Sequence, residues 1–199
     1  LLQCCGLVYP DIKKYKHTYW LGFPALGLKS PTLLTAPARA LDGVFSPDQI
    51  KQLKDKVSEL TVRYTENPPF FLTILDSSGQ LSVAPLRSWE DDGLQSSGKT
   101  VFFTFVDPSP MPSNPGWPLR NLLVLLSRRW ALSSVSVLCL RDLAESAQEM
   151  TSSVLDLEIP CGAGEGDSLT VVGWEANARG KPGARSVDLS PFMDPSRRA

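Results

Sequence analysis

Asp107-Pro-Ser-Pro-Met-Pro-Ser-Asn-Pro-Gly-Trp-Pro-Leu-Arg-Asn121, running into Leu122-Leu-Val-Leu-Leu126 and Arg128-Arg-Trp130, is the stretch whose reading decides the fold of this 199-residue chain. Four prolines ahead of Pro118 hold the approach stiff and non-helical, because each ring locks φ and restricts the residue before it. Pro118 itself stands where a helix can begin. From there Leu119, Leu122, Leu123, Leu126 and Trp130 form one helical stripe with Val124 and Leu125 on its flanks, so the helix is packed on most sides and Trp130 belongs to the core. On either side lie the apolar runs Val101-Phe-Phe-Thr-Phe-Val106 and Val135-Ser-Val-Leu-Cys-Leu140, which read as strands, the first of them central. The unit 101–140 is therefore β-helix-β, with a right-handed crossover if its strands are parallel.

Working outward, Ser46-Pro-Asp-Gln49 carries an N-cap, a proline at the first helical position and a Gln three residues on, a capping-box start. Ile50, Leu53, Val57 and Leu60 follow at helical spacing, which predicts an amphipathic helix over 46–61. Pro69-Phe-Phe-Leu-Thr-Ile-Leu75 and Leu81-Ser-Val83 flank Asp76-Ser-Ser-Gly79 as strand, turn and strand. Nearer the amino terminus, Tyr15, His17, Tyr19, Leu21, Phe23 and Ala25 alternate with Lys16, Thr18, Trp20 and Gly22, the period of a half-buried strand, and Pro24 marks an edge position or a strand end. The segment 29–42 reads as a loop and 89–99 as irregular. Alternation returns over 152–159, and Leu169-Thr-Val-Val172 reads as a strand. The class expected is α+β, with a mixed β-sheet, one β-helix-β unit and an additional amphipathic helix.

A formal charge of −1 argues against nucleic acid or an anionic membrane as the main partner. The apolar run 119–126 is too short for a bilayer span, which needs about 20 residues, so no transmembrane segment is expected. The amino terminus lacks the basic region of a signal peptide, which makes a soluble, cytoplasmic location the default. Leu1 and Leu2 read like the inside of a strand, so the chain reads as a fragment. Cys4, Cys5, Cys139 and Cys161 show neither metal-ligand spacing nor the density of a disulfide scaffold, and reduced thiols are expected.

Among possible sites, Gly162, Gly164 and Gly166 lack the following Lys-Ser/Thr and helix of a phosphate loop and read as a turn. His17 has no Gly-x-Ser-x-Gly elbow to serve, so a small hydrolase is the remotest reading. Cys139, inside an apolar strand, reads as an inert small hydrophobe, whereas Cys161 lies in a loop. Asp107 and Arg120 are expected to pair and brace the elbow. Trp117 is either a partner-binding anchor on a rigid turn or a staple packing the elbow onto Trp130 or the sheet. Tyr19 and Trp20 offer aromatic surface, and Arg179, Lys181 and Arg185 form a basic loop; these five and Trp117 are the candidate partner-binding residues. No residue is a candidate for catalysis, cofactor binding or metal binding.

Pro115-Gly-Trp-Pro-Leu-Arg-Asn121 with its apolar helix and Arg129-Trp130 resembles the amino-terminal domain of the autophagy E1-like ubiquitin-like-modifier-activating enzymes. Two further stretches resemble that family in the same order: Asp11-Ile-Lys-Lys-Tyr15 with Tyr19-Trp20 and Phe23-Pro-Ala-Leu26, and Val172-Gly-Trp-Glu175 with Asn177, Gly180, Arg185, Leu189-Ser190 and Met193-Asp-Pro195. The resemblance implies that residues 1–195 are a partial amino-terminal, E2-recruiting domain, that 196–199 are a tail, and that the adenylation domain is absent. Docking of E2-like conjugating enzymes for autophagosome formation is then the expected function. ATP, the ubiquitin-like modifiers, the catalytic cysteine and a homodimer contact are implied for the missing domain, and no cofactor is expected in this chain. A stand-alone interaction module unrelated to conjugation is the alternative.

Overall fold

The computed structural model describes residues 5–63, 69–91, 94, 97–111, 114–141, 151–160 and 169–193. Its strands, in chain order, are β1 (Cys5–Asp11), β2 (Lys16–Gly27), β3 (Leu33–Leu34) and β4 (Arg39–Ala40), followed by helix α1 (Pro47–Arg63). Strands β5 (Phe70–Leu75), β6 (Leu81–Pro85) and β7 (Thr100–Val106) then lead to helix α2 (Pro118–Trp130). Strands β8 (Ser134–Leu140), β9 (Ser153–Glu158), β10 (Thr170–Trp174) and β11 (Arg185–Asp188) precede the single turn α3 (Ser190–Met193). The chain divides into a central unit, Leu28–Ser168, and a terminal unit built from Leu1–Gly27 and Leu169–Ala199.

The central unit holds a seven-stranded mixed sheet in the order β3-β9-β8-β7-β5-β6, with β4 also on β9. Its parallel pair is β7 with β8, joined through α2, and the other pairings are antiparallel. This is the β-helix-β unit read from 101–140, within the α+β class expected. The run Val101–Val106 is nearly all apolar because both faces of the sheet are covered. Phe103 and Phe105 pack with Leu122, Leu123 and Leu126 of α2. Phe102 lies on the opposite side with Leu53, Val57 and Leu60 of α1. Thr104, the polar member of the run, is buried with its hydroxyl 2.7 Å from that of Thr73 on the neighbouring strand, so neither group is stranded in the core.

Helix α1 starts as its sequence predicts. The Gln49 amide donates to Ser46 Oγ at 3.3 Å and the Ser46 amide donates to Gln49 Oε1 at 2.9 Å, the reciprocal pair of a capping box. The four apolar residues at helical spacing, Ile50, Leu53, Val57 and Leu60, are all buried. Helix α2 begins at Pro118, with Trp117 before it, and closes on Ala131 in the left-handed region at φ 51. Trp130 is half-buried and packs its ring against Trp89 and Phe103, while its Nε1 donates to Glu90. It is an aromatic cover on the core, not a residue enclosed by it.

Two segments depart from their sequence reading. The expected loop 29–42 contains the two-residue strands β3 and β4, which lie along β9 and are held by Arg39 to Asp156 at 2.7 Å. Strand β9, read as alternating, is buried on both faces through Ser153, Val154 and Leu155, because it is an interior strand of the sheet. The glycine loop with Cys161, Gly162, Gly164 and Gly166, and the tail 196–199, lie outside the described residues.

In the terminal unit β2 pairs with β1 along 16–22, with β10 along 22–27 and with β11 along 16–19. Of the two positions inferred from Pro24, the strand end is wrong, since β2 runs on to Gly27. β2 as a whole lies between β1 and β10, while at Pro24 itself the pairing among the described residues is with β10. Phe23 and Pro24 together oppose the single residue Gly173, between the pairs Gly22–Trp174 and Ala25–Val172. A bulge is the place inside a sheet where a residue without an N–H is tolerated. Gly173 has φ +92, and a side chain there would collide with the Phe23 carbonyl. Tyr15, read as the start of the strand, instead sits at φ 50 and closes the short 3-10 turn Ile12–Lys14.

Candidate functional site

In the central unit the proline elbow is built around one carboxylate. Asp107 Oδ1 accepts from the Ser109 amide and the Gly116 amide, each at 2.9 Å. Its Oδ2 accepts from Arg141 Nε at 3.0 Å and from Arg141 Nη2 at 2.8 Å. The two side chains are buried, and the guanidinium also donates through Nη1 to the Thr151 carbonyl at 2.8 Å. The expected partner, Arg120, is exposed on the first turn of α2. The parallel register decides the difference: Val106 opposes Leu140, so the residues that follow, Asp107 and Arg141, leave the sheet side by side. A pair this deep needs each remaining lone pair and proton satisfied, and the two loop amides and the Thr151 carbonyl do that.

Gly116 is required by the same packing. A Cβ there would lie 2.6 Å from Asp107 Oδ1 and 3.0 Å from Pro108. Ser109 Oγ donates to the Asn114 carbonyl at 2.7 Å and accepts from the Met111 amide at 3.2 Å, which closes the loop on itself. The loop holds Met111 at 52% exposure and places Trp117, half-buried, at the helix entrance. The crevice at the carboxyl ends of parallel strands, a usual ligand position in such sheets, is thus filled by an internal ion pair.

Cys139, next to this pair, is buried, and its thiol is pushed up to about 12 by burial first and by the Asp107 charge second. It is an inert thiol, as its place in an apolar strand implies. The neutral thiol is favoured in the folded state, so between about pH 9 and 12 the unfolded chain releases this proton first and stability falls as pH rises. Iodoacetamide at pH 8 is expected to label the exposed Cys5 in the native protein and to reach Cys139 only on unfolding. Native labelling of Cys139 at a comparable rate would contradict this burial. Among the described residues no group of three or more His, Cys, Asp or Glu is placed to hold a metal ion.

The terminal unit brings most of the other candidates together. Tyr19 and Trp20 are successive residues of β2 and so point to opposite faces of the sheet. The register puts Trp20 opposite Leu7, and Thr18 opposite Tyr9, on one face. On that face the Trp20 and Trp174 rings lie 5.3 Å apart, and Gly22 is bare because a side chain would enter the Trp174 ring. Trp20 Nε1 donates to the Glu175 carbonyl at 3.3 Å. An open pocket of about 300 Å3 is lined by Leu7, Tyr9, Thr18, Tyr19, Trp20 and Ala184. Leu7 and Tyr9 are 69% and 70% exposed, apolar surface on a scale that marks interaction sites when it is contiguous.

The basic loop is less uniform than its sequence suggests. Arg185 on β11 opposes Tyr19 and is tied to Glu175 at 2.6 Å and to the Ala176 carbonyl at 2.9 Å. Arg179 and Lys181 ride on a turn whose amides donate to Asn177 Oδ1, and both side chains are exposed. Trp117 belongs to the other unit. Leu7 and Tyr9 escaped the sequence reading, although the short β-prone run Leu7-Val-Tyr9 was available as a strand signal. Arg141 and Met111 escaped it too, because nothing local marks a residue as the partner of one 34 positions away.

No helix among the described residues is long and apolar enough to cross a membrane. A family model for the amino terminus of ubiquitin-like modifier-activating enzyme ATG7 matches residues 1–193. The chain belongs to this family. ATG7 of Gallus gallus is 37% identical over 97% of this chain and 28% of its own length. ATG7 of Homo sapiens is 36% identical, with the same two shares. The chain thus spans a little over a quarter of the length of these curated ATG7 relatives. Among solved structures, Kluyveromyces marxianus Atg7NTD in complex with Atg10 superposes with a TM-score of 0.61 at 21% identity, over 96% of this chain and 60% of that one. Atg7NTD of the same organism without a partner gives 0.58 at 19% identity, over 95% and 58%. At these identities the likeness carries the ATG7 amino-terminal fold.

Proposed function

We propose that this chain is the non-catalytic amino-terminal portion of an autophagy E1-like enzyme, acting in the cytoplasm to dock an E2-like conjugating enzyme for autophagosome formation. The observation that carries this reading is the ATG7 amino-terminal match over residues 1–193, joined to the crystallised complex of a domain of this fold with Atg10. On this reading ATP binding, the thioester cysteine, the ubiquitin-like modifiers and the pairing of two copies belong to the rest of the full-length enzyme. The docking surface is the aromatic face of the terminal unit around Trp20, Leu7 and Tyr9, with Tyr19 and Arg185 paired across strands β2 and β11, Arg179 and Lys181 as a charged rim, and Trp117 of the central unit as an independent candidate anchor. Such a surface binds by burying apolar area, and a net charge near zero gives little long-range steering, so affinity depends weakly on salt.

Titration against an Atg10-type partner tests the assignment with three folded variants: the aromatic-face variant Leu7→Ser with Tyr9→Ser, the basic variant Arg179→Ser with Lys181→Ser, and Trp117→Ala. The aromatic variant is expected to weaken binding at least tenfold and the basic variant less than threefold. Loss of binding in the basic variant alone would overturn the apolar surface in favour of electrostatic recognition. Absence of binding by the unaltered chain would overturn docking itself.

A further inference from the structure

We infer that one face of the terminal sheet, carrying Val8, Tyr19, Leu21 and Val187, is an internal interface, covered in a full-length enzyme of this family by a part of the ATG7 amino-terminal domain outside this chain. The inference rests on family membership and is independent of E2 docking. Ala25 apart, the buried hydrophobic residues among those described all lie in the central unit, and both core clusters are built from that unit. The terminal unit instead leaves Leu7, Val8, Tyr9, Leu21, Trp174 and Val187 between 37% and 70% exposed. A sheet with apolar residues on both faces needs a second layer on at least one of them.

Register separates the two faces, because residues opposite one another share a face. Val8 stands with Tyr19 and Arg185, Gly6 with Leu21, and Pro10 with His17 and Val187. The charged side chain in these rows, Arg185, already has Glu175 at 2.6 Å. The other face has Leu7 with Trp20, but also the row Asp11, Lys16 and Asp188 and the row Tyr9, Thr18 and Ser186, whose hydroxyls lie 2.9 Å apart. Permanent burial of the charged row would require a new partner for each group, whereas the Val8 face asks mainly for apolar contact. The Trp20 face stays open for docking.

Chain length identifies the occupant. The match to ATG7 of Gallus gallus runs over 199 residues and takes up 28% of that protein, and the Kluyveromyces marxianus Atg7NTD chain is covered to 60%. The rest of such a protein joins the matched stretch at its ends. Both ends belong to the terminal unit, at β1 and at β11 with α3, so the additional polypeptide starts from the sheet it covers.

Cysteine labelling on β1 tests this, since Val8 and Tyr9 are adjacent, similarly exposed at 62% and 70%, and on opposite faces. Val8→Cys and Tyr9→Cys are each made in this chain and in a chimera in which residues 1–199 replace the matched stretch of Gallus gallus ATG7. Site-resolved mass spectrometry reads iodoacetamide uptake. In the chain alone the two rates are expected to agree within about threefold, whereas in the longer protein Val8→Cys slows about tenfold or more and Tyr9→Cys keeps its rate. Should the chimera not fold, cysteines at the aligned positions of Gallus gallus ATG7 give the same comparison in a natural enzyme. Unchanged labelling of Val8→Cys in the longer protein, or slowing of Tyr9→Cys alone, would overturn the inference. Slowing of both would overturn the assignment to one face, and slowing in the chain alone as its concentration rises would give the face to a second copy instead. Failure of an Atg10-type partner to bind would overturn docking and leave this result standing.

Discussion

Asp107→Ala is expected to cost about 3–5 kcal/mol of folding stability, the effect of leaving a buried charge without its counter-ion. The Arg141 side chain is almost wholly enclosed, and it directly follows β8, whose parallel pairing with β7 holds it beside Asp107. The substitution also strips the acceptor from the Ser109 and Gly116 amides, so two further donors lose their partner at the same moment. Urea denaturation of the variant beside wild type reads the change as a shift of midpoint at similar slope. Arg141→Met in the Asp107→Ala background removes the orphaned cation and is expected to recover a large part of the loss. A midpoint within error of wild type for Asp107→Ala would show that the pair is not desolvated as the structure has it.

Phe105→Ala is expected to cost about 3–5 kcal/mol, the range for truncating a fully buried aromatic residue. Phe105 lies in an interior strand of the seven-stranded sheet and is completely enclosed between that sheet and α2. The neighbouring strands are held in register by main-chain bonds on both sides, so they cannot collapse into the space left behind. Phe105→Leu, which keeps much of the volume, is expected to cost clearly less. Trp130→Ala belongs in the same series as a contrast. Its ring covers Trp89 and Phe103 from the half-exposed end of α2, and its loss is expected to be smaller than that of Phe105. Equal losses for the two would place Trp130 inside the core after all.

Periodicity and local chemistry made much of the central unit legible. The helix 46–61 was readable because the capping box between Ser46 and Gln49 and the proline at its first turn are local signals, and its four apolar residues recur at the helical period. The β-helix-β unit was readable because an uninterrupted apolar strand needs cover on both faces and because Pro118, followed by apolar residues at helical spacing, suits the first position of a helix. The approximate extent of the hairpin around Gly79 followed from the same kind of local signal. Family membership was legible too, since three motifs in order span most of the chain.

What the tertiary structure decided concerns partners distant in sequence. Arg120 is nearer than Arg141 to Asp107 along the chain, and only the parallel register of β7 and β8 selects Arg141. Pro24 carries the same missing N–H at an edge as at a bulge, and only the pairing of β2 with strands from both ends of the chain places it at the bulge. Trp20 and Tyr19 were visible as aromatic residues. Their division between two faces follows from strand geometry, but the stacking of Trp20 on Trp174 and the exposure of Leu7 and Tyr9 beside it depend on strands drawn together from opposite ends of the sequence. Local sequence by itself determined elements whose stabilising contacts lie within a few residues; the candidate docking surface and the buried ion pair were decided by register, which is set by the summed packing of whole strands and is written in no single segment.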